Sequence, residues 1–311
     1  MKAIQYQDFG SSEVLSLNEL AQPVIQQGKE ILIQVKAASV NPLDIKIRMG
    51  YMQQMRPVQL PFTPGLDCAG IICAIGTEVQ NFKVGDEVIA ITMGNAYAEY
   101  VLANEAFVVP KPKNLSFVEA TSLAVNLGTA QTLLFGEGQL KTGDRVLIQG
   151  AAGAVGATMV QLAKLHGLYV YATASGKGVE LAKQLGADEV FDYKSADFNL
   201  DMQGIDLVAD CAGGETQKGL FKVLKQGGKL LSIAGMPSQE LAAELNIEAR
   251  FVSSNLSAQS LLPALKFAET GELKPFVTKV FALQEAAKAQ DFVSAGGSNG
   301  KVVLSTELLL G

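Results

Sequence analysis

From Val146 to Ile148 the chain is wholly apolar; Gln149 then leads into Gly150-Ala151-Ala152-Gly153-Ala154-Val155-Gly156, and residues 157–165 carry helical spacing. A buried strand, a glycine-rich turn and a helix, in that order, make an anion site. The turn lets a ligand approach the backbone, and the free N–H groups and positive dipole end of the helix face its charge. Gly153 and Gly156 fall at the second and third glycine positions of the dinucleotide fingerprint, with Ala151 at the first. Ala151, Gly153, Ala154, Val155 and Gly156 are therefore assigned to a pyrophosphate. Close packing of helix on strand without a ligand is the plainer alternative.

About twenty residues further on, an acidic side chain would hold the ribose 2′-hydroxyl of NAD. Here the strand expected over 168–173 ends in Ala174-Ser175-Gly176-Lys177 instead. A hydroxyl and a cation at that place suit a 2′-phosphate, so NADPH is the expected cofactor.

Two textures surround this turn. Up to about residue 120, short apolar runs alternate with turn signals, as in Ile31-Leu32-Ile33-Gln34-Val35 and Glu87-Val88-Ile89-Ala90, which is β-rich texture. Lys83-Val84-Gly85-Asp86 and Lys141-Thr142-Gly143-Asp144 each place a glycine where positive φ launches a strand. Beyond residue 120, helices over 116–134 and 157–165 alternate with strands over 145–149, 168–173, 206–210 and 229–235. Such alternation implies a parallel, doubly wound sheet. Helices over 260–270 and 283–294 and a strand over 301–305 are too few for a core of their own, so the chain is expected to return to the first domain.

Length and composition agree. With 311 residues, 48% hydrophobic and 18% charged, the chain supports two packed α/β domains rather than a disordered polymer. A net charge of −6 without a basic run gives no nucleic-acid footprint. The absence of an eighteen-residue apolar stretch or an apolar leader leads to the expectation of a cytoplasmic protein without membrane insertion. Cys68 and Cys73 fall on one expected strand and point to opposite faces; with Cys211, they are read as buried or half-buried small apolar residues.

The order of Ala38-Ser39-Val40-Asn41-Pro42-Leu43-Asp44, Leu60-Pro61-Phe62-Thr63-Pro64-Gly65-Leu66-Asp67, the glycine turn, Ala187-Asp188-Glu189-Val190-Phe191-Asp192-Tyr193 and Gly300-Lys301-Val302-Val303-Leu304 resembles the medium-chain dehydrogenase/reductase superfamily. The likeness is to its zinc-free quinone oxidoreductase branch, which includes zeta-crystallin and the enone reductases. It implies a discontinuous, β-rich GroES-like catalytic domain over 1–122 and 256–311, and a Rossmann NADPH-binding domain over 123–255. By position it implies that Asn41 faces the nicotinamide and substrate, that Thr129 lies near the cofactor, and that Ser175, Lys177 and Tyr193 surround the 2′-phosphate and adenosine. Lys46 matches a lysine of the enone reductase subgroup and is expected, with Asn41, to be catalytic. An Asn-Pro turn and an exposed helix lysine are the plainer readings of these two.

Where zinc-containing relatives carry metal ligands, this chain has Asn41 and Leu66. Its single histidine, His166, falls on an expected helix of the other domain and is read as solvated. No metal is expected. The implied reaction is hydride transfer from NADPH to a quinone or an α,β-unsaturated carbonyl, with a homodimer as the expected assembly. Two alternatives stay open: an enoyl-thioester reductase, for which Arg48 and Arg56 would have to form a basic rim, and an NADPH-holding sensor or structural protein.

Overall fold

A computed structural model describes residues 1–308. The expected domain segment 256–311 ends in three residues that lie outside them. Along the chain come β1 (Lys2–Gln5), β2 (Ser16–Glu19), β3 (Glu30–Val40), α1 (Pro42–Arg48), β4 (Asp67–Ile75), β5 (Glu87–Ile91), β6 (Tyr100–Asn104), β7 (Val108–Pro110) and α2 (Phe117–Gln131). Next follow β8 (Arg145–Gln149), α3 (Ala154–Leu165), β9 (Tyr169–Ala174), α4 (Lys177–Gln184), β10 (Glu189–Asp192), β11 (Ile205–Asp210), β12 (Leu224–Ser232), α5 (Gln239–Glu244) and β13 (Glu248–Phe251). The chain ends through α6 (Ala258–Glu269), β14 (Val277–Ala282), α7 (Ala286–Ser294) and β15 (Lys301–Ser305).

These form two compact units. Met1–Val125, Leu256–Glu269 and the chain from Pro275 onward make one; Asn126–Asn255 and Thr270–Lys274 make the other. The division at 125/126 falls inside α2, three residues past the border at 122/123 that the change of texture suggested, because texture cannot mark a border within one helix.

In the first unit, a mixed sheet of the described residues runs β14-β15-β3-β4-β5-β7, with β6 also on β3. The eleven-residue β3 takes β4 along one edge, and on the other takes β6 at its start and β15 at its end. Period-2 alternation sends Ile31, Ile33 and Val35 into a core with Val88, Tyr97, Val101, Val302 and Leu304. Each such aliphatic side chain contributes about 1.5–3 kcal/mol by leaving water. The same alternation buries Cys68 and exposes Cys73, so the expectation that all three cysteines are at least half-buried fails at Cys73.

In the second unit the sheet is parallel throughout, in the order β10-β9-β8-β11-β12-β13, which is the doubly wound order with its reversal between β8 and β11. Gly85 and Gly143 have φ of +93° and +91°, as the turn motif requires, and Asp86 and Asp144 close the turns onto the N–H groups of Lys83 and Lys141. Three elements differ from expectation. The helix read over 116–134 turns into a wide π-turn at Thr132–Gly136, where Thr132 Oγ1 donates to the Gly128 carbonyl and Glu137 N–H reaches back to Thr132 O. The helix over 283–294 opens with a separate 3₁₀ turn, Leu283–Glu285. His166 is half-buried rather than fully solvated: it caps α3, packs against Phe135 with ring centroids 4.4 Å apart, and sets Nδ1 2.8 Å from the Leu162 carbonyl.

Asp210 closes β11. It is fully buried, and its Oδ1 accepts from the N–H groups of Ala212 (3.0 Å) and Gly213 (2.7 Å). Its Oδ2 accepts from Gln217 Nε2 (2.6 Å) and Ser232 Oγ (2.8 Å). Replacing it strands four donors, three of them on the buried residues Gly213, Gln217 and Ser232. Asp210→Ala is expected to cost about 3–5 kcal/mol in urea unfolding, and Asp210→Asn clearly less; a cost below about 1 kcal/mol for the alanine variant would contradict this role.

Candidate active site

The glycine turn sits where the order of the parallel sheet reverses. Ala151 is buried and donates its N–H to the Thr173 carbonyl (3.0 Å), so the turn is tied to the end of β9. Gly156 needs its missing side chain: a Cβ there would come 2.2 Å from the Gly150 oxygen and 2.7 Å from the Ala151 Cα. At Gly153, the N-cap of α3, a Cβ would come 3.3 Å from the Gly150 oxygen, a tight contact, and the bare backbone leaves no side chain over the helix start. The first-turn N–H groups of Ala154, Val155 and Gly156 point out of the helix end without intrahelical partners.

Beside the turn lies a concavity of about 240 Å³ lined by Gln149, Gly150, Thr173, Tyr193, Phe198, Ala212, Gly213, Thr216 and Leu220. Gln149 is 5% exposed; its Nε2 donates to Thr216 Oγ1 (2.6 Å), while its Oε1 is buried without a hydrogen-bond partner. An acceptor left open in this place is a feature a bound nucleotide can satisfy. At the rim, Ser175 Oγ donates to Tyr193 Oη (2.9 Å), and Lys177 is exposed at the first position of α4. Ser175, Lys177 and Tyr193 are thus brought together at the ends of β9 and β10. Thr129 pairs instead with Ser254, whose Oγ donates to it at 2.9 Å. Gln149, Phe198 and Asp210 were not singled out from sequence; the signal for Gln149 and Asp210 is a polar residue closing an otherwise apolar strand.

In the first unit, register builds a second constellation. Val302 faces Val40 across β15 and β3, and Ala38 faces Cys68 across β3 and β4, so Lys301, Asn41 with Ser39, and Asp67 meet at one end of three adjacent strands. Ser39 Oγ lies 2.6 and 2.7 Å from the two oxygens of Asp67. Asn41 Nδ2 donates to Asp67 Oδ1 (2.8 Å) and to Ser39 Oγ (3.2 Å), and Asn41 Oδ1 accepts from Lys301 Nζ (2.5 Å). Burial pushes the Asp67 carboxyl up, and Lys301, Ser39 and Asn41 oppose that push. With donors on both its oxygens, Asp67 is in the setting that suits its ionised form.

Asp44 completes the start of α1. Its Oδ2 accepts from the Asn41 N–H (2.9 Å) and Tyr97 Oη (3.2 Å), and its Oδ1 from the Gly65 N–H (3.1 Å). This is a capping contact that also joins two loops and a buried tyrosine. Lys46 is half-buried on the same helix. The carboxamide of Asn41, which the resemblance sets facing nicotinamide and substrate, is 3% exposed, and both its ends are engaged by Asp67, Ser39 and Lys301. Asp44, Asp67 and Lys301 stood in the quoted motifs without an assigned role; the sequence signal is a charge opening an apolar strand, plain at Lys301 and Asp67.

A glycine turn on a doubly wound sheet, joined to a GroES-like β unit, defines a nucleotide-dependent oxidoreductase fold. Two family models match: the alcohol dehydrogenase GroES-like domain over residues 27–113, and a zinc-binding dehydrogenase domain over residues 185–304. The quinone oxidoreductase of Mus musculus is 33% identical, over 98% of this chain and 97% of that protein. The 2-methylene-furan-3-one reductase of Solanum lycopersicum is 34% identical, over 98% of this chain and 79% of its own. Among solved structures, the quinone oxidoreductase from Coxiella burnetii superposes with a TM-score of 0.90 at 31% identity, covering 99% of both chains. The chain belongs to the medium-chain dehydrogenase/reductase family, in its quinone oxidoreductase branch.

The zinc implied by one model's description does not fit the residues present. Leu66 is a buried aliphatic side chain, and Asn41 Oδ1 already receives an ammonium that would repel a second cation. Among the described residues, no group of three or more His, Cys, Asp or Glu converges.

Burial pushes the Asp44 carboxyl up to about 7, and nearby Asp67 adds to the shift. A proton bound in the folded state and not in the unfolded one stabilises the fold at low pH. That contribution is complete below about pH 4 and is lost as pH rises through about 7. Unfolding free energy should therefore fall more steeply between about pH 4.5 and 8 in the parent protein than in Asp44→Asn; parallel profiles would contradict it.

Proposed function

We propose that this protein is an NADPH-dependent reductase of quinones and α,β-unsaturated carbonyls that works without zinc. The observation that carries the cofactor choice is the hydroxyl pair Ser175–Tyr193 with Lys177 beside it, at the strand end where an NAD-selective site has a carboxylate. The full-length likeness to quinone oxidoreductases and to a 2-methylene-furan-3-one reductase supports the acceptor class. A homodimer in the cytoplasm belongs to the same proposal.

NADPH, when bound, supplies the hydride. The chain's own residues do the rest. Gly153 to Gly156 hold the pyrophosphate, Ser175, Lys177 and Tyr193 the 2′-phosphate and adenosine, and Gln149 Oε1 accepts from the nucleotide. Lys46 stands as the cation for the acceptor oxygen as it becomes anionic, and holds the proton that oxygen or the adjacent carbon takes up. Asn41 and Asp44 set the start of the helix that carries Lys46.

Three outcomes follow. NADPH should bind at least about tenfold tighter than NADH, a difference of about 1.4 kcal/mol. Lys177→Ala should remove most of that margin without affecting NADH; the chain has no Trp, so NADPH emission reads the titration cleanly. Equal constants for the two cofactors would defeat the proposal. Lys46→Met should lower enone turnover by about 10- to 1000-fold, and quinone turnover less, because the reduced quinone oxygen is a weaker base. Full enone turnover in that variant would leave Lys46 without a role. Protein purified in chelator should keep its activity with zinc far below one equivalent; loss of turnover that zinc restores would refute the zinc-free reading.

A further inference from the structure

Lys301 is 2% exposed, on the first residue of β15, in a strand that is otherwise apolar up to Ser305. Holding an ammonium there has a large desolvation cost unless its partners repay it. Its Nζ donates to Asn41 Oδ1 at 2.5 Å, and the amide it meets has its other end on Asp67 and Ser39. An amide group has one acceptor and one donor end. With the ammonium on Oδ1, Nδ2 must face the carboxylate, so a single orientation of Asn41 satisfies both charges.

We propose that Lys301 is a positioning residue for catalysis: by holding the Asn41 carboxamide against Asp67, it fixes the start of α1 and with it the placement of Lys46. The charge relation runs through the amide. Lys301 and Asp67 are each the largest charge acting on the other, and the Asn41 amide touches both. Asp44, whose carboxylate takes the Asn41 N–H, holds the backbone of the residue whose side chain Lys301 holds. The N-cap of α1 is thus gripped at both its polar ends, and Lys46 lies within the next turn and a half. The proposal rests on the reading of Lys46 as the cation beside the acceptor oxygen.

The test uses the full chain with Lys301→Met and with Lys301→Met combined with Asp67→Asn. The first removes the ammonium and keeps the stem; the second also removes the carboxylate left without compensation. Both should lower kcat for an enone by about tenfold or more, with the KM for NADPH changed less than about threefold. The double variant should recover much of the thermal stability lost in the single one while kcat stays low, a split that a purely structural lysine would not produce. In parallel, the Asn41 side-chain amide pair, assigned in ¹H–¹⁵N spectra through Asn41→Asp, should shift and lose protection in either variant. Should Lys301→Met fail to fold, the double variant carries both readouts. Parental kcat with an unmoved amide pair in the double variant would overturn the proposal. If the parent reduces neither quinone nor enone, the functional reading fails by itself, and the amide signal alone still decides whether Lys301 holds Asn41.

Discussion

The carboxylate of Asp67 must be accommodated where no water reaches it, at the first residue of β4. A buried charge of this kind is tolerated only if donors and a counter-charge converge on it. Three strands that are neighbours in the sheet and remote in sequence supply them: Ser39 and Asn41 from the end of β3, and Lys301 from the start of β15, 260 residues from Asn41 along the chain. The constraint explains why the first unit is discontinuous in a functional sense. The strand β15, held between β14 and β3, delivers the cation that this end of the sheet requires. It also explains why zinc is out of place, since the cationic role at Asn41 is already filled by a side chain.

The second unit obeys a different constraint, the closeness of backbone to backbone. At Gly156 the helix start approaches the Gly150 carbonyl so nearly that a methyl group has no room, while at Gly153 a methyl group would be tight against the same oxygen, at 3.3 Å, but not excluded. The two glycines are thus not equivalent: one is required for packing and the other leaves the helix end accessible. Asp210 and Gln149 then shape the concavity from neighbouring strand ends. Asp210 spends its carboxylate on ordering the loop after β11, and Gln149 keeps an acceptor in reserve.

What could be read from the residue order was local. The strand-turn-helix at Gly150 and the two lysine-to-aspartate turns rest on period and turn chemistry that act over a few residues, and these elements stand in the structure. The π-turn at Thr132 was not legible, because a side-chain hydroxyl competing for one carbonyl decides it. Nor was the fate of the Asn41 carboxamide. The family resemblance implied a group facing a ligand and its place before Pro42 a plain turn, but two remote strands bring partners for both ends of the amide. Lys301 was visible as part of a motif, yet a lone charge opening an apolar strand gives no hint of which residue it will meet.

The central claim is that this chain delivers hydride from NADPH to an electron-poor acceptor with its own residues and no metal. Deuterium transfer tests it directly. With zinc-free protein, an enone, and NADPH labelled with deuterium at the transferable position of the nicotinamide, the saturated product should carry one deuterium at the β-carbon by mass spectrometry. Product without that label, or no product unless zinc is added, would contradict the account.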